Sequence, residues 1–218
     1  MTTQDLTLDE VRDALAPVLP RHAAFDGWKP RAIAMAAAEK GMDSDIAALA
    51  FAGGAMDMID AWFASIDARM IEALPAPVLA AQSVRGRITA LIEARLDLLV
   101  PDREALRRAI AIMAMPRNGV RAAKLGWRAA DAMWRAAGDD ATDFNHYSKR
   151  MTLAGIYAAT LLTFLDDHSD GHADSRAFLA RRVDDVMRFE RAKARFGRSG
   201  GERLSLSRFI GRLRYPAI

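Results

Sequence analysis

The 218-residue chain has no cysteine, which removes disulfides, thiolate metal sites and cysteine nucleophiles from consideration. Only four histidines are present, His22, His146, His168 and His172. None belongs to a Glu-x-x-His or His-x-x-x-His spacing, so neither a helical carboxylate–iron site nor a zincin site is expected. There is no GxGxxG fingerprint and no phosphate-cradling glycine loop. The longest uncharged apolar run, MTLAGIYAATLLTFL at 151–165, has fifteen residues. That is short of the roughly 20 a bilayer-spanning helix needs, and the expectation is a helix buried on all sides. The opening MTTQDLTLDEV is acidic and lacks an apolar core, so neither a secretory signal nor an arginine-rich transit peptide is expected there. No catalytic residue, metal or cofactor is assigned, and the chain is not expected to be an enzyme.

What is present is helical. Ala, Leu, Arg, Met and Glu dominate, and strand-like alternation is missing. Prolines and glycines mark the joints. Pro17 and Pro20 bound the first helix, Pro30 suits an N1 position, and Pro75 and Pro77 separate two further helices. Asp102 is placed to cap the helix after Pro101. Met115-Pro116, Gly138 and Gly171 close later helices, and Thr142 is placed as an N-cap. The result is an all-α chain of nine or ten helices in three regions: 1–75, 76–196 and 197–218, the last beginning at the glycine-bearing link GRSGG. The net charge of +3 conceals a gradient. Residues 1–75 carry 6 basic against 12 acidic side chains, and residues 181–218 carry 11 against 4, so the C-terminal end should meet any anionic surface.

Two local patterns bear on function class. The stretch DDHSDGHAD, 166–174, places Gly171 where a calcium loop has its glycine, but Ala177 falls where a bidentate glutamate is required; a solvated interhelical loop is expected. In the first 75 residues a helix is followed by GWKPRAIAMAAAEKG, a turn at Gly41-Met42-Asp43 and a short helix, SDIAALAFAG. This is helix-turn-helix spacing, and the region resembles the opening of a TetR-type repressor. The recognition stretch DSDIAALAFAGG at 43–54 has no basic residue and no side-chain amide, and it carries Asp43 and Asp45. Base edges and phosphates are read by Arg, Lys, Asn and Gln, so the motif is expected as a vestigial scaffold without nucleic-acid binding. A transcriptional regulator remains the competing class, and a generic lipid carrier a third.

Residues 133–157 read MWRAAGDDATDFNHYSKRMTLAGIY. Met133-Trp134, Ala137-Gly138-Asp139, Thr142-Asp143-Phe144-Asn145, Tyr147, Arg150, Leu153-Ala154 and Ile156-Tyr157 resemble the Coq nine family of ubiquinone biosynthesis accessory proteins. Phe178-Leu179, Arg182-Val183, Asp185 and Met187 continue the likeness, and Gly27-Trp28, Ala32-Ile33-Ala34, Leu96 and Met115-Pro116 extend it upstream. His146 departs from it, at a position where an aromatic is expected. The resemblance implies a TetR-like homodimer that binds isoprenoid quinone intermediates or phospholipid. It would present the quinone to a membrane-associated di-iron hydroxylase, which would own the iron. It also implies a peripheral location on the inner, cytoplasmic face of a bacterial membrane, or the matrix side in a mitochondrion.

Three sets of residues carry the expected contacts. Val120, Lys124, Trp127, Asp131 and Trp134 recur along one face of the helix after Pro116, opposite Leu125, Ala129 and Met133. Charged neighbours beside two tryptophans suggest an exposed partner surface, and the resemblance places the hydroxylase-binding patch here, at positions including Asp131 and Trp134. Leu96, Leu99, Met113, Leu125, Met133, Met151, Tyr157, Leu161 and Phe164 are candidates for a lipid cavity or for core filling, which the pattern does not separate. In the tail, Leu206, Phe209, Ile210 and Leu213 form a stripe flanked by Arg203, Arg208, Arg212 and Arg214, the layout of an interfacial helix. Burial of each apolar side chain is worth about 1.5–3 kcal/mol and each arginine at an anionic surface about 1 kcal/mol. Ordering the helix returns roughly 1 kcal/mol or more per residue, so attachment should be reversible. Deleting 202–218 is expected to abolish co-sedimentation with anionic liposomes while leaving the melting temperature nearly unchanged; a large fall in melting temperature would mean the tail is instead docked on the body.

Overall fold

The computed structural model describes residues 6–139 and 144–199. The chain forms two compact units, 1–180 and 181–218, so the helix-turn-helix part is not separate from the rest of the first unit. All described elements are helical: α1 (Leu8–Leu15), α2 (Leu19–Asp26), α3 (Pro30–Glu39), α4 (Ser44–Ala50), α5 (Ala55–Ala73), α6 (Ala76–Ala80), α7 (Val84–Leu99), α8 (Arg103–Met113), α9 (Gly119–Ala136), α10 (Phe144–Leu165) and α11 (Ala173–Ser199), and no strand occurs among the described residues.

Local chemistry explains the starts and stops. Thr7 and Glu10 form a reciprocal capping box on α1. The chain turns at Ala16–Val18 and restarts with Pro20 in the first turn of α2, so the expected first helix is two. Pro30 opens α3 as expected. Gly41, at φ +65°, makes the turn that leads to α4, in a conformation glycine adopts without strain. The Asp43 carboxylate accepts hydrogen bonds from the backbone N–H groups of Asp45 (2.8 Å) and Ile46 (3.1 Å). Asp102 behaves differently from expectation. It holds the N-cap position of α8 but makes no side-chain cap bond; it is buried, and desolvation raises its pKa against the pull of Arg69 and Arg21.

Helix α5 is the axis of the first unit, touching α1, α2, α7, α8 and α9. Trp62 at its middle is fully buried, with its ring 5.3 Å from that of Trp28 and 5.2 Å from that of Phe63. Trp28 in turn donates from Nε1 to the Ala105 carbonyl of α8 at 3.0 Å. Helices α9 and α10 form the most extensive pair, and they approach closely where Gly126 faces Ala154: a Cβ at Gly126 would lie 3.9 Å from that of Ala154. Gly138, at φ +84°, ends α9; Thr142 lies outside the described residues.

The C-terminus of α10 is capped from another helix. Nη2 of Arg103, on α8, donates to the carbonyls of Phe164 (2.8 Å), Leu165 (2.9 Å) and Asp167 (2.7 Å). In the loop beyond, Asp167 accepts from the backbone and hydroxyl of both Ser169 and Ser175 at 2.5–2.8 Å. Burial pushes its pKa up, but these bonds outweigh burial and hold the carboxyl well below the usual range. Its oxygens thus organise the turn, in keeping with an interhelical loop.

Helix α10 is not buried on all sides. It packs on α9, α7 and α8, leaving Met151, Gly155, Ala158 and Leu162 exposed. No single helix among the described residues is long and apolar enough to cross a membrane; α4 and α5 meet both conditions only together, across an 86° bend. The backbone of α11 is helical through Ser199, so the helix extends into the expected link. The tail positions, 203–214, lie outside the described residues. Replacing Trp62 with Ala should cost about 3–5 kcal/mol in urea unfolding, whereas Phe25→Ala, at a residue 87 % exposed, should stay within about 0.5 kcal/mol.

Candidate partner and lipid sites

The α9 surface divides as its periodicity suggests. Leu125, Ala129, Ala130 and Met133 are buried, while Val120 is 73 % exposed and Lys124 is exposed. The other three members of the expected partner face are half-buried and already engaged with α10. Trp127 lies 6.2 Å from the His146 ring and 5.8 Å from that of Tyr147. Trp134 donates from Nε1 to the Lys149 carbonyl at 3.1 Å, with the Lys149 ammonium 5.3 Å from its ring centre. Asp131 bonds Arg150. Val120 and Lys124 on α9 and Tyr147 and Met151 on α10 are all exposed.

Arg150 holds this pair of helices together. It is 1 % exposed; its Nε donates to Asp131 at 2.6 Å and its Nη1 to Asp139 at 3.2 Å and to the His146 carbonyl at 3.2 Å. Lys149 adds a 2.6 Å bond to Asp139, and Arg135 pairs with the other Asp131 oxygen at 2.8 Å. Burial would raise the Asp139 pKa, but Lys149 and Arg150 prevail and lower it. Asp131, expected on the partner face, is half-buried and pairs with both Arg150 and Arg135.

Most of the expected lipid set is interior. Leu96, Leu99, Leu125, Met133, Tyr157, Leu161 and Phe164 are buried and Met113 is partly so. Met151 departs from the set: it is 69 % exposed, because the face of α10 that carries it points away from α9. Leu125 and Lys124 also border an open cleft of about 180 Å³ with Met56, Asp60, Arg121 and Arg128. A second cleft, about 280 Å³, lies among Asp9, Arg12, Asp13, Asp57, Asp60 and Arg128. Both are too charged to house an isoprenoid tail.

Two residues escaped the sequence reading. Arg95 on α7 is wholly buried, bonds Asp67 of α5 through Nη1, and places its guanidinium carbon 4.8 Å from the Tyr157 ring centre. Asp67 also bonds Nε of Arg128 at 3.2 Å. Arginines on helices ordinarily face water, so only the apolar run around Arg95, LIEARLDLL, could have signalled its burial.

Comparison with known proteins adds the family. A COQ9 family model matches residues 120–190, a span from the first turn of α9 into α11. Over these residues the chain is similar to the COQ9 family. It is 33 % identical over 168 residues to the rat protein named "Ubiquinone biosynthesis protein COQ9, mitochondrial" (74 % of this chain, 54 % of the relative). The human protein of the same name is 32 % identical (74 % and 52 %), and that of Drosophila melanogaster 27 % over 187 residues (84 % and 57 %). The chain thus spans about half the length of these curated relatives. Its fold is similar to the crystal structure of a TetR transcriptional regulator from Nitrosomonas europaea ATCC 19718, with a TM-score of 0.62 and 26 % identity, over 79 % of this chain and 95 % of that one. The fold is TetR-like and all-α, as the sequence suggests.

The Arg150 cluster sets an expectation for the α9–α10 pair. Arg150→Ala leaves two carboxylates facing a buried gap and should cost about 3–5 kcal/mol in chemical denaturation. Because the Asp139 pKa is lowered on folding, its stabilisation is complete above the unfolded carboxylate value, about 4, and drains away as pH falls toward the folded value. Melting temperatures measured from pH 6 downward should drop below about pH 4, with a shallower drop in Asp139→Asn.

Proposed function

We propose that this chain is a lipid-binding accessory protein of ubiquinone biosynthesis. It takes an isoprenoid quinone intermediate, or a phospholipid, from a membrane surface and presents it to a membrane-associated di-iron hydroxylase without chemistry of its own. The observation that carries the reading is the similarity of residues 120–190 to the COQ9 family, together with relatives named for ubiquinone biosynthesis. The relatives' names also say mitochondrial, which suits a site on the matrix face or on the corresponding inner face of a bacterial membrane.

The surfaces support this assignment of parts. The exposed Val120 and Lys124 at the start of α9 offer apolar area with a cation beside it, suited to an acidic–apolar partner patch. Trp134 and Asp131 contribute by holding α9 against α10. On α10, Met151, Gly155, Ala158 and Leu162 give an exposed face on which a second copy packs, in line with a homodimer.

Similarity to a solved TetR regulator favours a second reading, transcriptional control. The recognition helix speaks against it. α4 presents Ser44, Asp45, Ala48 and Leu49 to solvent, and two of the nearby cations are paired internally: Arg21 with Glu39, and Arg31 with Asp26 at 3.2 Å.

Native mass spectrometry of the purified chain, followed by lipid extraction, tests the first reading. A dimer carrying a quinone-like isoprenoid is expected. Val120→Asp with Lys124→Glu should weaken capture of the hydroxylase at least tenfold, roughly the loss of one interface hot spot, while leaving the melting temperature within about 2 °C, since neither side chain is buried. A lipid-free protein that binds duplex DNA at nanomolar, salt-sensitive affinity would support the regulator instead.

A further inference from the structure

The open cleft of about 180 Å³ between α5 and α9 is lined by Met56, Asp60, Arg121, Lys124, Leu125 and Arg128. Met56 and Leu125 are buried and give it an apolar wall. The other four lining residues are three cations and one carboxylate.

Their hydrogen bonds show which charges are already spent. Arg128 is fully engaged: Nε donates to Asp67 at 3.2 Å, Nη1 to the Asp60 carboxylate and Nη2 to the Asp60 carbonyl at 2.9 Å. Asp60 is thereby neutralised and does not repel an incoming anion. Arg121 is engaged in part. Its Nη2 bonds Asp57, which also accepts from the Gly53 N–H at 2.7 Å, while its Nε and Nη1 make no bond among the described residues. Lys124 is exposed and has no hydrogen-bond or ion-pair partner among the described residues.

The local charge does not balance. Asp67 also serves the buried Arg95, so Arg95, Arg121, Lys124 and Arg128 meet only Asp57, Asp60 and Asp67. The surplus positive charge rests on Lys124, at the mouth of the cleft. Arg117, exposed in the short 3₁₀ turn Pro116–Asn118 before α9, adds another one turn upstream. Cations three and four residues apart repel one another, and Arg121 lies in the first turn of α9, where the helix dipole disfavours it. An anion in the cleft relieves both costs. The free edge of a guanidinium beside an ammonium suits a phosphate, whose several oxygens accept from both at once. The cleft is smaller than the roughly 300–1,000 Å³ of sites for larger ligands, so it fits a small ester and not an acyl chain.

We propose that Arg121 and Lys124 bind the phosphate group of a small soluble phosphate ester in the α5–α9 cleft, with Met56 and Leu125 against its organic part. Arg128 and Asp60 form the fixed wall between them. Binding of such an ester requires neither quinone nor hydroxylase, so this site stands or falls apart from the accessory-protein reading.

The full chain is titrated with inorganic phosphate and with glycerol 3-phosphate at low ionic strength, and binding is read by calorimetry and by amide chemical shifts across 121–128. One ester per chain is expected, with affinity falling as KCl is added. Lys124→Gln, at an exposed residue without a partner, should keep the fold and weaken glycerol 3-phosphate binding about tenfold, the scale of one charge-assisted hydrogen bond. Lys40→Gln, at an exposed lysine beyond α3, should leave it unchanged. Undiminished binding in Lys124→Gln, or an equal loss in Lys40→Gln, overturns the site and leaves adventitious attraction to a basic surface. An Arg121→Lys chain that binds as tightly as the parent overturns the part given to the guanidinium edge. If glycerol 3-phosphate does not bind, yet co-sedimentation with phosphatidylglycerol vesicles depends on Lys124, the phosphate belongs to a lipid headgroup and the choice of a soluble ester is overturned.

Discussion

Two guanidinium groups among the described residues, those of Arg95 and Arg150, are shut away from water, and a buried charge is tolerated only where an opposite charge meets it. Arg95 requires Asp67, which fixes α7 on α5; Arg150 requires Asp131 and Asp139, which fixes α10 on α9. Apolar packing tolerates small slides between helices at modest cost. A buried ion pair does not, because displacement strands both charges. The register of the bundle is therefore set at these two points, and the leucines and alanines between them fill what the pairs define.

The two pairs differ in their partners. Arg150 is bonded through Nε and Nη1 to two carboxylates and a carbonyl, as befits a purely architectural group. Arg95 bonds Asp67 through Nη1 and sets its guanidinium against the Tyr157 ring. Arg150 also accounts for the half-buried α9 tryptophans: once it draws the start of α10 against α9, Trp127 and Trp134 are covered by what lies beside it.

The helical class, the joints at Pro30, Gly41, Gly138 and Gly171, and the buried and exposed faces of α9 were legible in the sequence because each depends on local chemistry. Proline lacks a donor, glycine reaches positive φ, and apolar residues repeat with the helical period. The break between α1 and α2 was hidden because Pro17 and Pro20 read as one boundary. Asp102 had the type and place of a cap, but its surroundings buried it. Met151 sits on the apolar side of its wheel, yet which wall a helix meets is a tertiary fact. Arg95 was illegible for the same reason: its role is conferred by Asp67 and Tyr157, 28 and 62 positions away along the chain.

Arg103 carries a consequence for how the molecule comes apart. The last carbonyls of α10 are satisfied by a side chain from α8, some sixty residues earlier. Its local backbone bonds, from the N–H groups of Asp166 and Asp167 to the Thr163 and Phe164 carbonyls, are long at 3.2 and 3.4 Å, so the final turn of α10 leans on α8 and shares its fate. Loosening one releases the other, so the two helix ends behave as a single cooperative element although the chain places them far apart.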